Sequence, residues 1–583
     1  MSLAETLSTA IAHHQAGQMA EAEALYRRIL ADDPGEPDAL HLLGVLAHQV
    51  GQTGPAIELI VQAINRRPAV AAYHVNLGEV LRIAGRPEPR RICFRNVLVL
   101  DPSAGAALRA LASYALIEGK RPAAIQLFRR SLRLAPLDSQ TCHDLGLALQ
   151  IEGDFERAKR SYRQALCLEP AFGSVITNLV VAFQQDRQLT EALTWSRRVV
   201  RLDPTPAALG NLGGILCLHD RRRDAVIAMR QALRLEPSFN DTHLNLARTL
   251  VELGQLSEAR RRYDSVLALD PDHQDARLGR GLCLLRAGDF RRGWADHEIR
   301  FKTHAYSFNG RLMDTPRWNG ETLSGQTVLL LAEQGVGDTL QFLRYAPLVA
   351  ARGGRVIVTV QRSLLKLLSG FPGIADLIAS DESLPAFDRW LPLLSLPLVF
   401  DTTLETIPGT VPYLRADPDA VATWCRRLGG GIRVGLVWAG NPEHLNDCNR
   451  SCPVDALAPL LAIPEIRWFS LQKGSRAADL ARLGWQDRIT DLDPLIGDYA
   501  DTAAIIANLD LVVSVDTSVA HLTGALGRPG SILLPFIPDW RWMLDRPDNP
   551  WYPTLRLFRQ PRPGDWAAVV ADVGDTLRAL GQQ

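Results

Sequence analysis

Two hydrophobic periods share this chain. Up to Phe301 the apolar positions follow the period of short amphipathic helices, interrupted by proline at a fixed interval. Pro34, Pro68, Pro102, Pro136, Pro170 and Pro204 are 34 residues apart; Pro237 follows after 33 and Pro271 after 34. Twelve residues before most of these prolines stands a small side chain: Ala22, Ala56, Ala124, Ala158, Ala192, Ala225 and Ala259. Eight before stands a bulky one: Tyr26, Ile60, Phe94, Phe128, Tyr162, Met229 and Tyr263. Gly44, Gly78, Gly146 and Gly213 recur 24 before. Each unit reads as two helices: the small residues let the pair approach, the bulky one fills the groove between them, and proline ends the second helix. The pattern predicts an α-solenoid over residues 1–301, with eight full units across about 3–271 and a partial ninth. An irregularity is expected at the third unit, where Arg90 takes the small place.

The unit length and the placing of its small and bulky residues resemble the tetratricopeptide repeat. Beyond Phe301 the period stops. A connector, 302–326, holds Pro316, Gly320 and Gly325, and short β-rich runs then alternate with helical stretches. Strands are predicted at 327–333, 355–360, 432–438, 467–471, 511–515 and 531–536. A helix is predicted at 418–428, with Asp417 as its cap and Pro418 first, where a missing N–H costs nothing. The expectation is two Rossmann-like α/β lobes, 327–417 and 418–583, facing one another over a cleft.

Composition acts by exclusion. The 583 residues carry 64 Lys and Arg against 64 Asp and Glu, and 47% are apolar, which excludes a disordered chain and a general nucleic-acid binder. No run of 18 apolar residues occurs, so no membrane span is expected, and residues 1–20 read as an amphipathic helix without the features of a signal sequence. The eight cysteines include no CxxC pair, which points to reduced thiols and a cytoplasmic location.

Candidate chemistry lies in both halves. Asn76, Asp144, Asn178, Asn211 and Asn245 share the sixth place of the first helix of their units, while Leu42, Ala110 and Gly279 break the series. A carboxamide both donates and accepts, so such a ladder on an inner solenoid face suits the backbone of an extended peptide; the bland alternative is bonding within each unit. In the second half, Glu333-Gln334-Gly335-Val336-Gly337-Asp338 follows a strand, with Gly335 and Gly337 permitting a tight turn. Asp338 is there either a base or a helix cap. The run from Gly435 through Asn441, His444, Asp447 and Arg450 is either a donor-binding edge or a solvated loop. Asp516-Thr517-Ser518, with His521 a turn later, follows an apolar strand and forms an anion site or a structural cap. Gln472 and Lys473 follow another strand as further phosphate contacts. Trp540, Arg541, Trp542, Asp545, Arg546, Trp551 and Tyr552 make a loop whose indoles suit sugar stacking and whose arginines suit clamping a carboxylate or phosphate, with plain interdomain packing the alternative. His444, Cys448 and Cys452 lack a fourth ligand, so no metal site is expected. The Asp417/Asp419 and Asp491/Asp493 pairs do not sit as metal-binding triplets after a clear strand, which favours metal-independent chemistry.

The motifs around Asp338 and Asp516 resemble those of the heptosyltransferase-like family (glycosyltransferase family 9). That resemblance implies the GT-B architecture, inverting transfer with Asp338 as general base, and donor phosphates bound by the segment from Asp516 to His521. Ser518 stands where that family commonly has glycine, and the residues after Asp338 also differ, so the acceptor is expected to differ from lipopolysaccharide core. The ladder resembles that of the eukaryotic O-GlcNAc transferase, and the whole layout is similar to bacterial flagellin glycosyltransferases. The combination implies a protein O-glycosyltransferase with flagellin as client. Its nucleotide-sugar co-substrate, with no separate cofactor, is implied to be a CMP-linked nonulosonic acid such as pseudaminic acid. The alternatives are transfer to a glycan or glycolipid, or an inactive repeat scaffold.

Overall fold

The computed structural model describes residues 2–302, 315–333, 335–444, 446–544 and 546–581. Residues 303–314 of the connector, Gln334 and Asp545 lie outside the described residues. The chain divides into two compact units, Met1–Leu235 and Glu236–Gln583.

The first unit is a series of antiparallel helix pairs running from Leu3–Gln15 to Arg222–Leu235. The sequence period is a packing rule: a Cβ on Gly146 would stand 2.5 Å from the Tyr162 ring, and one on Gly213 would stand 2.6 Å from the Met229 side chain. The glycine 24 before each proline thus receives the bulky residue 8 before it, and both are needed for the helices to close. The third pair departs from expectation. Ala71–Ile83 and Pro87–Leu100 pack without a break, because the Arg90 guanidinium lies over the Phe94 and Tyr114 rings at 5.3 and 5.7 Å instead of entering the interface. Between the two helices of a pair the chain turns through the left-handed region, at Gly17, Gly51, Gly85, Gly119 and Gly153, and then at Arg187 and Asp220. A side chain in that region costs about 1 kcal/mol. Arg187 is exposed. Arg187→Gly is therefore expected to stabilise the chain by about 0.5 kcal/mol once the extra freedom of glycine in the unfolded state is deducted. A lower chemical-denaturation midpoint in that variant would contradict this.

The second unit begins with two more helix pairs, Asn240–Glu252 to Phe290–His297, and continues into two parallel sheets. The first holds β1 (Thr327–Leu331), β2 (Arg355–Val360), β3 (Asp376–Ala379) and β4 (Arg389–Pro392), in the order β3-β2-β1-β4. The second holds β5 (Ile432–Val437), β6 (Ile466–Ser470), β7 (Ile489–Asp491), β8 (Leu511–Val515), β9 (Gly530–Leu534) and β10 (Leu555–Arg559), in the order β10-β9-β8-β5-β6-β7. Every pairing between these strands is parallel, with Leu329 opposite Ile357 and Leu436 opposite Val513. Such strands are covered on both faces, so β8 and β9 are buried throughout and apolar except at Ser514 and Ser531. Asp417 caps the helix Pro418–Leu428 by accepting from the Ala420 N–H at 2.8 Å.

One apolar core joins the last helix pair to both sheets. Leu285, Phe290 and Trp294 of that pair share it with Leu340 and Phe342 from the first sheet's side, and with Leu522, Trp540 and Trp551 from the second's. The Trp294 indole donates to the Thr402 carbonyl at 3.1 Å, and the Arg286 guanidinium donates to the Pro538 carbonyl at 3.1 Å. The final repeats are thus part of the α/β unit's own core. No described helix is long and apolar enough to cross a membrane, and all eight cysteines are free thiols.

Candidate functional site

Open parallel sheets bind ligands beyond the carboxyl ends of their strands, where the strand order reverses. In the second sheet that point lies between β5 and β8, and in the first between β1 and β4. The turns leaving β5 and β8 carry the segments around His444 and Asp516, and the turn leaving β1 carries Asp338.

Behind the β1 turn, the Glu333 side chain is buried. Arg300 holds it through two bonds of 2.9 and 3.0 Å, and it accepts from the Leu394 N–H at 3.1 Å, tying β1's exit to β4's. Gly335 then precedes the helix Val336–Phe342, and Asp338 Oδ2 accepts from the Gly335 N–H at 2.9 Å. The glycines need correcting, since neither has a positive φ and so neither serves the tight turn expected of it. A Cβ on Gly337 would stand 2.6 Å from the His521 ring, so this glycine permits the close approach of the helix Ser518–Ala525.

Across that contact, Arg541 Nη2 lies 2.5 Å from Asp338 Oδ1, and Arg541 Nη1 lies 2.8 Å from Asp539 Oδ1. Burial raises the Asp338 carboxyl above its ordinary value; Arg541 opposes this most, and Asp539 adds to it. Asp516 is raised as well, by burial and by Asp539, with Arg450 and Arg541 opposing. Burial also acts to raise Asp539, but Arg541, through its charge and its hydrogen bonds, outweighs it and leaves that carboxyl lowered. Two part-buried carboxylates, Asp338 and Asp539, therefore share one guanidinium.

The expected donor residues fall into two groups. Asp516, Thr517 and Ser518 stand together at the start of the helix Ser518–Ala525, where the Thr517 hydroxyl meets Ser514 at 3.1 Å and the Ser518 hydroxyl meets Tyr499 at 2.7 Å. His444 and Asn441 are exposed on the turn after β5. Arg450 packs its guanidinium on the Gly440 backbone and lies 3.4 Å from Asp447. Burial and Arg450 lower the His444 imidazole, and Asp338 and Asp539 are among the groups that raise it, so this loop faces the same acids.

Three of the expected donor residues make bonds within the fold. Gln472 is buried, with its carbonyl oxygen accepting from the Trp438 and Ala439 N–H groups at 3.1 and 2.9 Å; it shapes β5's exit and offers that oxygen to the strand. The Lys473 ammonium donates to the Asp493 and Ile496 carbonyls and pairs with the Asp493 carboxylate at 2.7 Å, which occupies its three donors. His521 is pushed down to about 3 by burial, then by Arg541, and is therefore neutral. It meets the Tyr552 hydroxyl at 3.1 Å and packs on Trp542. It supplies no positive charge to an anion.

The Trp-rich loop resolves toward packing: Trp540, Trp542 and Trp551 are buried, and Trp540 and Trp551 pack on Trp294. Arg546 pairs with Asp548. Among the loop's described residues it is Arg541 that reaches Asp338, so the arginine clamp expected of this loop closes on a carboxylate of the protein itself.

In the repeats, the Asn76 amide donates to the His41 imidazole at 2.7 Å and the Asn178 amide to His143 at 2.9 Å. Both bonds run to the preceding unit, so these two rungs are fixed between units rather than within one. Asp144 accepts from Gln140 at 2.8 Å, while Asn211 and Asn245 are exposed. Among the described residues no group of three His, Cys, Asp or Glu is placed to hold a metal ion.

Tetratricopeptide-repeat family models match residues 13–77, 93–139, 139–172 and 244–292, so the chain carries tetratricopeptide repeats. Protein FlbA of Caulobacter vibrioides is 27% identical over 421 residues, which span 67% of this chain and 70% of that one. That stretch is longer than the repeats, so the likeness extends into the α/β part. Among solved structures, MamA (TM-score 0.27, 19% identity) covers 28% of this chain and 95% of its own. The Pseudomonas aeruginosa pilF protein (TM-score 0.31, 20% identity) covers 35% and 94%.

Proposed function

We propose that this chain is a GT-B glycosyltransferase that moves a sugar from a nucleotide-sugar to Ser or Thr of a protein client held by the repeats. Flagellin is the proposed client and a CMP-linked nonulosonic acid the proposed donor, on the strength of the layout. The observation that carries the reading is the close approach of the helix bearing Asp338 to the helix Ser518–Ala525, through Gly337 and His521, with Arg541 from the loop after β9 bound to Asp338. This gives one face a part-buried carboxylate and the other a helix N-terminus suited to anions.

In the proposed reaction the acceptor hydroxyl gives its proton to the Asp338 carboxylate as its oxygen bonds to the anomeric carbon. The bond from that carbon to the donor's phosphate oxygen breaks with inversion. The phosphate leaves with the electron pair, toward the N–H groups following Thr517 and the Arg450 guanidinium. No metal is assigned: Asp417 caps a helix, and Asp493 pairs with Lys473.

The test is the intact mass of flagellin from cells with and without this gene. A mass increment that vanishes on deletion, and returns with the wild-type chain, is expected. Identical masses would overturn flagellin as the client.

A further inference from the structure

We propose that Arg541 is a positioning residue that holds Asp338 ionised and oriented, and that Asp539 tunes it by competing for the same guanidinium. This rests on the reading of Asp338 as the base. Arg541 is nearly buried, and its two terminal nitrogens are divided between Asp338 Oδ1 at 2.5 Å and Asp539 Oδ1 at 2.8 Å. Asp338 Oδ2 is held separately by the Gly335 N–H. The carboxylate is thus fixed at both oxygens, by its own helix and by a loop of the other sheet, and each oxygen keeps a lone pair for an incoming proton.

The charged and titratable groups acting on Asp338 come from two loops, Arg541 and Asp539 from the one after β9 and His444 from the one after β5, while His521 of the helix Ser518–Ala525 lies against the adjoining Gly337. Of these, Arg541 is the cation in direct contact, and it opposes both burial and the Asp539 charge. Without it, a carboxylate out of water beside another carboxylate takes up a proton and ceases to be a base. The fork geometry explains an arginine here, since a lysine ammonium is a point charge and bridges two carboxylates less well.

The experiment is a pH profile of transfer by the full chain, with flagellin and CMP-pseudaminate, for wild type, Arg541→Gln, Arg541→Lys and Asp539→Asn. Arg541→Gln is expected to move the acid limb of kcat/KM up by about 1–3 pH units, with Arg541→Lys in between. Asp539→Asn, which removes a repelling charge and leaves Arg541 to Asp338, should move it down. A purely structural arginine would lower the rate without shifts of opposite sign, and unshifted limbs would overturn the proposal.

A second measurement needs no transferase activity and separates failure of this proposal from failure of the functional reading. Asp338 is raised in the fold, so its contribution to stability is lost as pH rises through its folded pKa, and removing Arg541 deepens that loss. Arg541→Gln should therefore lower the melting temperature more at pH 8 than at pH 5, and less steeply with pH in an Asp338→Asn background. The same pH dependence in both backgrounds would overturn the clamp whatever the chain transfers. Arg541→Lys serves if the glutamine variant does not fold.

Discussion

Replacing Asp338 by alanine is expected to lower sugar transfer by about 10²–10⁴-fold, the usual contribution of a positioned general base, with little change in folding or client binding. The two halves of that expectation have different causes. Transfer falls because neither neighbouring carboxylate among the described residues is placed to take over: Asp539 is held by Arg541 and by the Arg541 N–H, and Asp516 stands after β8 in the middle of the second sheet. Stability changes little because burial already makes the ionised Asp338 costly, and Arg541 keeps Asp539 as a partner when Asp338 is gone. Client binding is unaffected if the repeats carry it. Asp338→Asn, which keeps the shape and loses the basicity, should match the alanine variant. Single-turnover transfer measured beside a thermal melt decides the matter: wild-type rates in either variant would remove Asp338 from the chemistry. The wild-type profile should also fall on its acid side at a pH above the ordinary carboxylate range, because burial raises this group.

The parts of the fold that were legible in the sequence are those where the period is enforced by burial. All six predicted strands are interior, namely β1 and β2 of the first sheet and β5, β6, β8 and β9 of the second, and their near-continuous apolar runs follow from cover on both faces. The four strands missed are the four edges. β3 opens on Asp376, β4 ends on Pro392, β7 reads Ile489-Thr490-Asp491, and β10 carries Arg556 and Arg559. Edge strands are short and polar because only one side is paired, so they carry no apolar signal. The repeats were legible for a related reason: Gly146 and Tyr162 must change together or the helices part.

The candidate site was legible by segment and not by side chain. A turn after an apolar strand marks where a ligand edge lies, which is why the segments at Asp338, His444 and Asp516 come to sheet ends. Which atoms stay available there depends on bonds between segments far apart in sequence. Gln472 is taken up by the strand beside it and Lys473 by a turn 20 residues on. Arg541 meets Asp338 only because the two sheets share one core around Trp540 and Trp551. No spacing rule reaches across such distances.

That shared core makes Gly337→Ala the substitution with the second largest expected effect. Its Cβ would stand 2.6 Å from the His521 ring. The ring cannot swing aside, since it is buried, bonded to the Tyr552 hydroxyl and packed on Trp542 at 5.2 Å between centroids. The helix Val336–Phe342 must then move off the helix Ser518–Ala525, and Asp338, the next residue, moves away from Arg541. Overpacking of this kind costs about 1–3 kcal/mol, and transfer should fall with it because base and anion site separate. Gly335→Ala is the control: that residue is exposed, and a Cβ there would meet the Asp338 carboxylate at an ordinary 3.5 Å, so it should be close to neutral. Gly337→Ala combined with His521→Ala should recover part of the loss, a non-additivity expected of two groups competing for one space. Denaturation and transfer measured on the four variants decide it; a Gly337→Ala chain as stable and as active as wild type would mean that the two helices do not meet as closely as this contact requires.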